Sequence, residues 1–557
     1  MLTGLLVLIL LLQGGFSDAV WALGGIAASL FLLFYAKKRP PAFALILMLA
    51  LVTVYAVSAA FHGLPFEALA GVSRVTVALL LLLVFYNINA DISETVFITG
   101  FIVAAIGFLA LGEILPWSGA VLAGRLQSVF QYANAAGFFI GISAFLTRLN
   151  KKCSAYTPFL EAALILTQSV GALVVYTVGW VLYLWKNKNF RFQLLICGFA
   201  VSAFLAGSVF ALVSFTPIPQ LGILPPILLL VFRNKLQQLI DTTAQRKGII
   251  WLGGGVFLLG VAGLFLTRGL LPFATYLERL IHIGDGLRVV VSYPLGIGPG
   301  AWQHELFAHQ SALYSAAKIH SEPIAAGVDA GFLAVVILCL LVIYWFRKKQ
   351  WDEKSVCAVM LLLAASMDIP FSFLSITMVA LWLAAITLPE AQAMPKHRFT
   401  RTLFVLPLTL CCVVFFHAAM KNHAAWVAQT DPPAAAAILE RLPIRDTDAD
   451  LRRMSIYLQM ERHDLLDALF AQLSRRTTVL YGQRARSLMQ RGLFEEAAEA
   501  AIASMRTGPH RMTGHWLMEE ILPHLDETLR SEYLIKIESL IPEPHPLIRF
   551  IDPISPR

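Results

Sequence analysis

Residues 402–440 read TLFVLPLTLCCVVFFHAAMKNHAAWVAQTDPPAAAAILE, and the fold turns on how this stretch changes character. Residues 402–419 hold no Asp, Glu, Lys or Arg, and a run of ~20 such residues is what a helix needs to cross about 30 Å of hydrocarbon. From residue 420 onward the chain turns polar. Residues 1–419 carry 26 Lys/Arg and 16 Asp/Glu, about 10% charged, whereas residues 420–557 carry 17 and 19, about 26%. With 58% hydrophobic and 14% charged residues over 557 positions, the chain lies outside the range of an ordinary soluble domain. The expected fold class is therefore all-α: a polytopic membrane helix bundle over residues 1–419, followed by a soluble α-helical domain over 420–557 that is long enough to bury its own core.

Working outward, apolar runs fall near 2–13, 19–35, 42–60, 67–86, 95–114, 135–148, 157–185, 192–215, 221–232, 249–267, 324–346, 355–369, 373–389 and 402–419. They imply about 12–15 spans. The first run lacks a basic leader and a small-residue cleavage site, so it reads as a retained span. Six charge clusters punctuate the runs: KKRPP at 37, RLNKK at 148, KNKNFRF at 186, RNKLQQLIDTTAQRK at 233, RKKQWDEK at 347 and KHRFTR at 396. Placing them all on the cytoplasmic side requires an even number of crossings between neighbours. The run 157–185, with basic clusters at both ends, then has to be two short helices meeting near QSVGA, with Gly171 at the break and the exposed backbone sheltered by protein. On this topology the loops 115–134 and 268–323 and the tail are extracytoplasmic.

The net charge of +8 divides into about +10 for residues 1–419 and about −2 for the tail, so it records orientation and gives no nucleic-acid surface. Cys153, Cys197, Cys339, Cys357, Cys411 and Cys412 lie in or beside apolar segments with no CxxC spacing, which argues against a zinc site or a disulfide framework. No phosphate-binding glycine loop and no metal-ligand spacing is present, so neither a cofactor nor a metal is expected.

The loop 268–323 is too long to be a mere connector. It carries Arg279, Arg288, four His and the turn Pro294-Leu295-Gly296-Ile297-Gly298-Pro299-Gly300, whose backbone N–H groups could meet an anion. Arg279, Pro294-Leu295-Gly296, Gly298, His320-Ser321, Asp329 and Gly331 together resemble the signature of the O-antigen ligase and Wzy polymerase superfamily of bacterial membrane glycosyltransferases. In that family an Arg opens an amphipathic helix before a P-L-x-G-x-G turn, and a His-Asn or His-Ser pair follows, with Glu nine and Gly eleven residues beyond the His. Asp329 stands in the Glu position. The other outside loop, GRLQSVFQYAN, is similar to the family's R-L-x-G-x-F-x-x-P-N through Arg125, Leu126, Phe130 and Asn134, with Ser128 in place of Gly and Ala133 in place of Pro. LTQSVGA resembles T-x-S-R-G-A with Val170 for the Arg, and Asp368 in SMDIPFSF resembles a D-F-P position.

The resemblance implies a donor glycan on undecaprenyl pyrophosphate and transfer of its anomeric carbon to a hydroxyl of a glycan, lipid or protein acceptor, at the outer face of a bacterial cytoplasmic membrane. The departing pyrophosphate calls for planar, permanently cationic Arg, and the attacking hydroxyl for a base that works near neutral pH. Arg279 and His320 are the expected catalytic pair, with Arg125, Asn134, Arg288 and Arg74 as substrate-binding residues and Asp329 and Glu322 in support. His282, His304, His309 and Glu305 have no motif context and read as ordinary loop residues.

In the tail, ARSLMQRGLFEEAAEAAIASMRTGP resembles a tetratricopeptide repeat through Ala485, Gly492, Phe494, Ala497 and Pro509, with a degenerate neighbour aligned on Ala468. Such helix pairs suit a protein partner. Two other classes fit the same hydropathy. A polysaccharide transporter or lipid flippase would place its polar residues at mid-membrane, and a membrane-tethered repeat scaffold would leave Arg125, Arg279 and His320 without a task.

Overall fold

The computed structural model describes residues 2–63, 65–188, 192–244, 271–314, 316–349, 351–388, 391–394, 402–473, 476–543 and 545. The apolar run 249–267 and the KHRFTR cluster lie outside these residues, as do parts of the clusters at 186 and 233. Helices dominate. The only strands among the described residues are two short antiparallel pairings, Lys38–Arg39 with Gln392–Ala393 and Val121–Leu122 with Arg125–Leu126. Six described helices are long and apolar enough to cross a membrane: Asp18–Tyr35, Ala42–Phe61, Phe66–Ile88, Ser93–Leu111, Phe192–Phe215 and Val405–Val427. The chain is a multi-pass membrane protein that ends in a helical region.

Two compact units make up the chain. The first comprises Met1–Met48, Val77–Pro272 and Cys339–Val405; the second comprises Leu49–Thr76, Phe273–Leu338 and Leu406–Arg557.

In the first unit the run 157–185 is broken into Thr157–Leu166 and Val170–Lys186. Both pack on the Ala133–Leu149 helix: Gly137 faces Thr167 and Ala172, and Gly141 faces Leu164 and Tyr176. Further along, Phe145 meets Trp180 and Arg148 meets Glu161. The first helix of the pair therefore climbs beside Ala133–Leu149 and the second descends, returning the chain to the end it came from. Gly171 is not at the break but in the first turn of the second helix. The break is made by Gln168, at φ +49, and by Ser169, whose Oγ caps the Ala172 N–H.

Contacts inside this unit gather the basic clusters at one end. Asn87 receives the N–H groups of Lys37 and Lys38, and Lys38 pairs with Ala393. Lys354 bridges to Asp91, Lys186 lies over the Trp351 ring, and Arg233 lies over Tyr156, which packs on Phe97. Arg148 is no solvated loop cation: Glu161, itself fully buried, takes two of its N–H groups and also accepts from Tyr176 and Ser202. A buried cation is tolerable only when paired in this way.

In the second unit the loop 268–323 forms its own apolar core from Ile281, Val289, Ile297, Trp302, Leu306 and Ile319. The helical region is fixed to a membrane helix of the same unit. Phe66 N–H donates to Arg445 O, and Thr447 N–H donates to Glu67 Oε1. Phe66 stacks on His417 at 3.9 Å, while His417 Nε2 and Lys421 Nζ reach Asp446 Oδ2 at 3.0 and 2.9 Å. Burial would raise the Asp446 carboxyl, but His417, Lys421 and the Ala449 N–H outweigh it and hold the group well below the usual carboxylate range.

Beyond residue 430 helices follow in pairs, among them Thr447–Gln459 with His463–Gln472 and Thr478–Gln490 with Phe494–Thr507. Ala485 and Ala497 are fully buried and Gly492 turns at φ +74. Ala468 departs from its expected place: it is exposed, and Leu466, Leu469 and Phe470 fill the core instead.

Candidate functional site

The helix Leu271–Ser292 carries the second unit's polar centre. Residues 278, 282, 285 and 289 share one face at helical spacing. Val289 continues the apolar core, whereas Glu278, His282 and Asp285 place polar groups in the same stripe. Arg279 and Arg288 flank that stripe on opposite sides. Arg279 does not open the helix as the motif implies; it lies in the third turn.

Asp285 is 1% exposed. It accepts the Ser311 N–H at 2.9 Å, the Ser311 hydroxyl at 2.6 Å and the Tyr314 hydroxyl at 2.6 Å, and it pairs with Arg288. The carboxylate thus folds the returning chain back onto the helix. Burial, reinforced by Asp285, raises the Tyr314 phenol far above its ordinary value, so it stays a hydroxyl and a donor.

The anchored Tyr314 ring lies 4.0 Å from His282, and the His320 ring lies near-parallel to His282 at 5.6 Å. Glu278 stands one turn before His282, with Oε1 3.6 Å from Nε2, an ion-pair distance longer than a hydrogen bond. His282, with His320 and Arg279 adding their charge, holds the Glu278 carboxyl below its ordinary value. Arg279, His282 and His320 thus each lie within electrostatic range of Glu278. Arg279 and His320, the two residues expected to act in catalysis, both lie within electrostatic reach of Glu278, and His282 packs beside His320.

The glycine turn does not serve as an anion cradle at the N–H groups whose partners are resolved. Gly296 N–H goes to Tyr293 O, Ile297 N–H to Val328 O and Gly300 N–H to Asp329 Oδ1. Gly296, at φ +73, presses against the backbone of residues 328–330, and a Cβ on Gly331, at φ +84, would collide with the Pro294 carbonyl. The turn is a packing device that docks on the C-terminal end of the helix Glu322–Ala330. Asp329 holds it, with Arg74 and Lys318 near enough to act on that carboxylate. Glu322 lies in the first turn of Glu322–Ala330, within electrostatic reach of Tyr55.

Arg288 is separated from the Arg279 group: its side chain is 61% exposed and tied to Asp285. His304 pairs with Glu67 at 3.4 Å, and His309 sits beside Glu305 at 3.7 Å and between the Tyr293 and Trp302 rings. Burial depresses His309 more than Asp285 raises it.

The first unit holds a second polar cluster built from three of the motif segments. Arg125 donates to Thr167 O at 3.1 Å and to Asn134 Oδ1 at 3.4 Å. Asn134 Oδ1 also accepts from Ser169, and its Nδ2 donates to Asp368 at 2.6 Å; Tyr132 donates to the other Asp368 oxygen at 2.6 Å. Ser128, standing where the motif has Gly, adopts φ +51, and Ala133 occupies the first helical position, where Pro is equally at home. Asn134 and Arg148 mark opposite ends of one helix, ~21 Å apart at 1.5 Å per residue, so this cluster lies at the end away from the basic clusters.

Compared with known protein-family models and with curated proteins, the chain matches none.

Proposed function

We propose that the protein is a glycosyltransferase that takes a glycan from a polyprenyl-pyrophosphate lipid and passes it to an acceptor hydroxyl at the outer face of a bacterial cytoplasmic membrane, with its helical tail on that same side. The observation that carries this reading is the convergence of Glu278, Arg279, His282 and His320 on a folded loop of a membrane protein. In the reaction the bond from the anomeric carbon to the pyrophosphate oxygen breaks and its electron pair leaves with the phosphate. The acceptor oxygen bonds the anomeric carbon and its proton passes to the His320 imidazole. Arg279 offers paired N–H donors to the growing phosphate charge. Arg125, Asn134, Arg288 and Arg74 are assigned to substrate binding, Asp329 and Glu322 to support.

The test is turnover of a synthetic polyprenyl-pyrophosphate oligosaccharide by the full chain in detergent, with donor binding followed separately. His320→Ala is expected to lose on the order of 10² to 10⁴ in rate while the donor still binds. Arg279→Ala should impair both binding and rate, and Arg279→Lys should rescue poorly because a point charge lacks the planar fork. Near-normal turnover by His320→Ala would overturn the base assignment, and no release of polyprenyl pyrophosphate by the wild type would overturn the reaction.

A further inference from the structure

His282 is buried in this group with both of its polar atoms outside any hydrogen bond. Its side chain is buried at 2% exposure, yet neither Nδ1 nor Nε2 has a hydrogen-bond partner among the described residues. An imidazole always presents a donor and, when neutral, an acceptor as well. Leaving both idle in a dry site is unfavourable, and an apolar side chain of similar size would be accommodated at no such cost. Nor is the side chain adrift. Tyr314 fixes one face at 4.0 Å, His320 lies near-parallel at 5.6 Å, and Glu278 Oε1 stands 3.6 Å from Nε2. Tyr314 is itself held by Asp285, so the ring is clamped by packing while Nδ1 has no hydrogen bond and Nε2 has only the longer ion-pair contact to Glu278.

We infer that His282 is a second ligand-contacting imidazole of the site, and that its ring nitrogens receive hydroxyl groups of the polyhydroxylated substrate next to the one that His320 engages. This rests on the transferase reading above. Two near-parallel imidazoles offer adjacent hydrogen-bonding groups, which is what neighbouring hydroxyls on a sugar ring require. Burial in a water-poor wall then makes each bond to the ligand count, because an analogue lacking the hydroxyl would leave the imidazole unpaired again.

The inference predicts that function and stability separate at this position. In the full chain in detergent, His282→Phe keeps a flat ring and removes both nitrogens. Its thermal midpoint is expected to equal or exceed that of the wild type. Binding of the synthetic polyprenyl-pyrophosphate oligosaccharide should stay within about threefold, while transfer falls by about 10- to 100-fold, the worth of one or two ligand hydrogen bonds. His282→Gln, which restores a donor and an acceptor, should recover part of the transfer. If the larger ring does not fold, His282→Leu replaces it with the same expectations. Transfer within twofold of wild type in the Phe or Leu variant would overturn the inference. So would a thermal midpoint and a transfer rate that fall together in these variants and in His282→Gln, since that is the signature of a packing residue. A wild type that releases no polyprenyl pyrophosphate defeats the transferase reading and this inference with it, and that outcome is seen before any variant is made.

Discussion

Removing the Asp285 carboxylate should unfasten the wall of the site. Asp285→Ala strands the Tyr314 hydroxyl, on a residue only 6% exposed, and a buried donor left unpaired costs about 1 to 3 kcal/mol. The Ser311 N–H and hydroxyl, on a partly exposed residue, can turn to water, so they add roughly 0.5 to 1 kcal/mol each. Arg288 is mostly exposed, and its share after solvent screening is at most about 1 kcal/mol. The total is about 2 to 6 kcal/mol, which brackets the roughly 3 to 5 kcal/mol typical when one partner of a buried ion pair is removed. Because the loss falls where residues 311–314 meet the helix, it should show first as protease cleavage within residues 293–320 and then as a lower thermal midpoint in detergent. Tyr314→Phe removes one of the same bonds, so the double variant should be less destabilised than the two single effects added, by about 1 kcal/mol. Wild-type cleavage and midpoint in Asp285→Ala, or strict additivity with Tyr314→Phe, would refute the carboxylate's role as the fastener.

Three further outcomes follow from the structure. The Asp446 carboxyl is depressed in the folded chain, so its contribution is present above the unfolded value of about 3.9 and is lost as pH falls through the lower folded value. Protease access to residues 442–448 should therefore stay low from neutral pH down to about 4 and rise only below it, and Asp446→Asn should open the segment at pH 7. In the first unit, Asp368→Ala takes both carboxylate oxygens from Asn134 and Tyr132, and Arg125→Ala removes the guanidinium beside them. Both should weaken binding of the polyprenyl-pyrophosphate oligosaccharide, by about tenfold or more, and wild-type binding in Arg125→Ala would remove that residue from the donor contacts. A reporter active only outside the cytoplasm should be active when fused after Arg557 and silent near Lys348; the opposite pattern would reverse the orientation.

Legibility in the sequence followed the length scale of the physics. The membrane helices were readable because hydrocarbon demands long apolar runs, and the broken run 157–185 was readable because basic residues at both ends demand a return to one side. Its break was assigned to Gly171, the residue with the freest backbone, whereas Gln168 takes the left-handed turn and Ser169 supplies the cap. Composition favours glycine there, but tertiary packing on Gly137 and Gly141 of the neighbouring helix imposed the turn regardless. The motif resemblance points to Arg279 and His320, whereas Glu278 and His282, which act on or pack beside them in the structure, match no motif. Their signal was present in another form: polar residues at positions 278, 282 and 285 of a helix whose apolar face continues at 289. Ala468 was misplaced because small residues are interchangeable in a weak repeat, and only burial reveals which of them touches the core.

The two polar clusters differ in a way that bears on what each can do. Around Asn134 the network is closed: its amide oxygen accepts from Ser169 and Arg125, its amide nitrogen donates to Asp368, and Tyr132 fills the other carboxylate oxygen. A closed network fixes geometry, and a ligand that meets it gains from groups already held in place. Around His282 the network is open, with a clamped ring that makes no hydrogen bond and a carboxylate at ion-pair distance, 3.6 Å from Nε2. Proton transfer needs a group able to change partners during the reaction, which a saturated amide network cannot do without breaking bonds it already makes. On the proposed reaction the open cluster is the one suited to proton transfer. If His282→Phe stabilises the chain while silencing transfer, and Asp368→Ala weakens donor binding with a smaller effect on the bound-state rate, that division of labour holds. The reverse pair of results would place the chemistry at Asn134 and leave the imidazoles as packing.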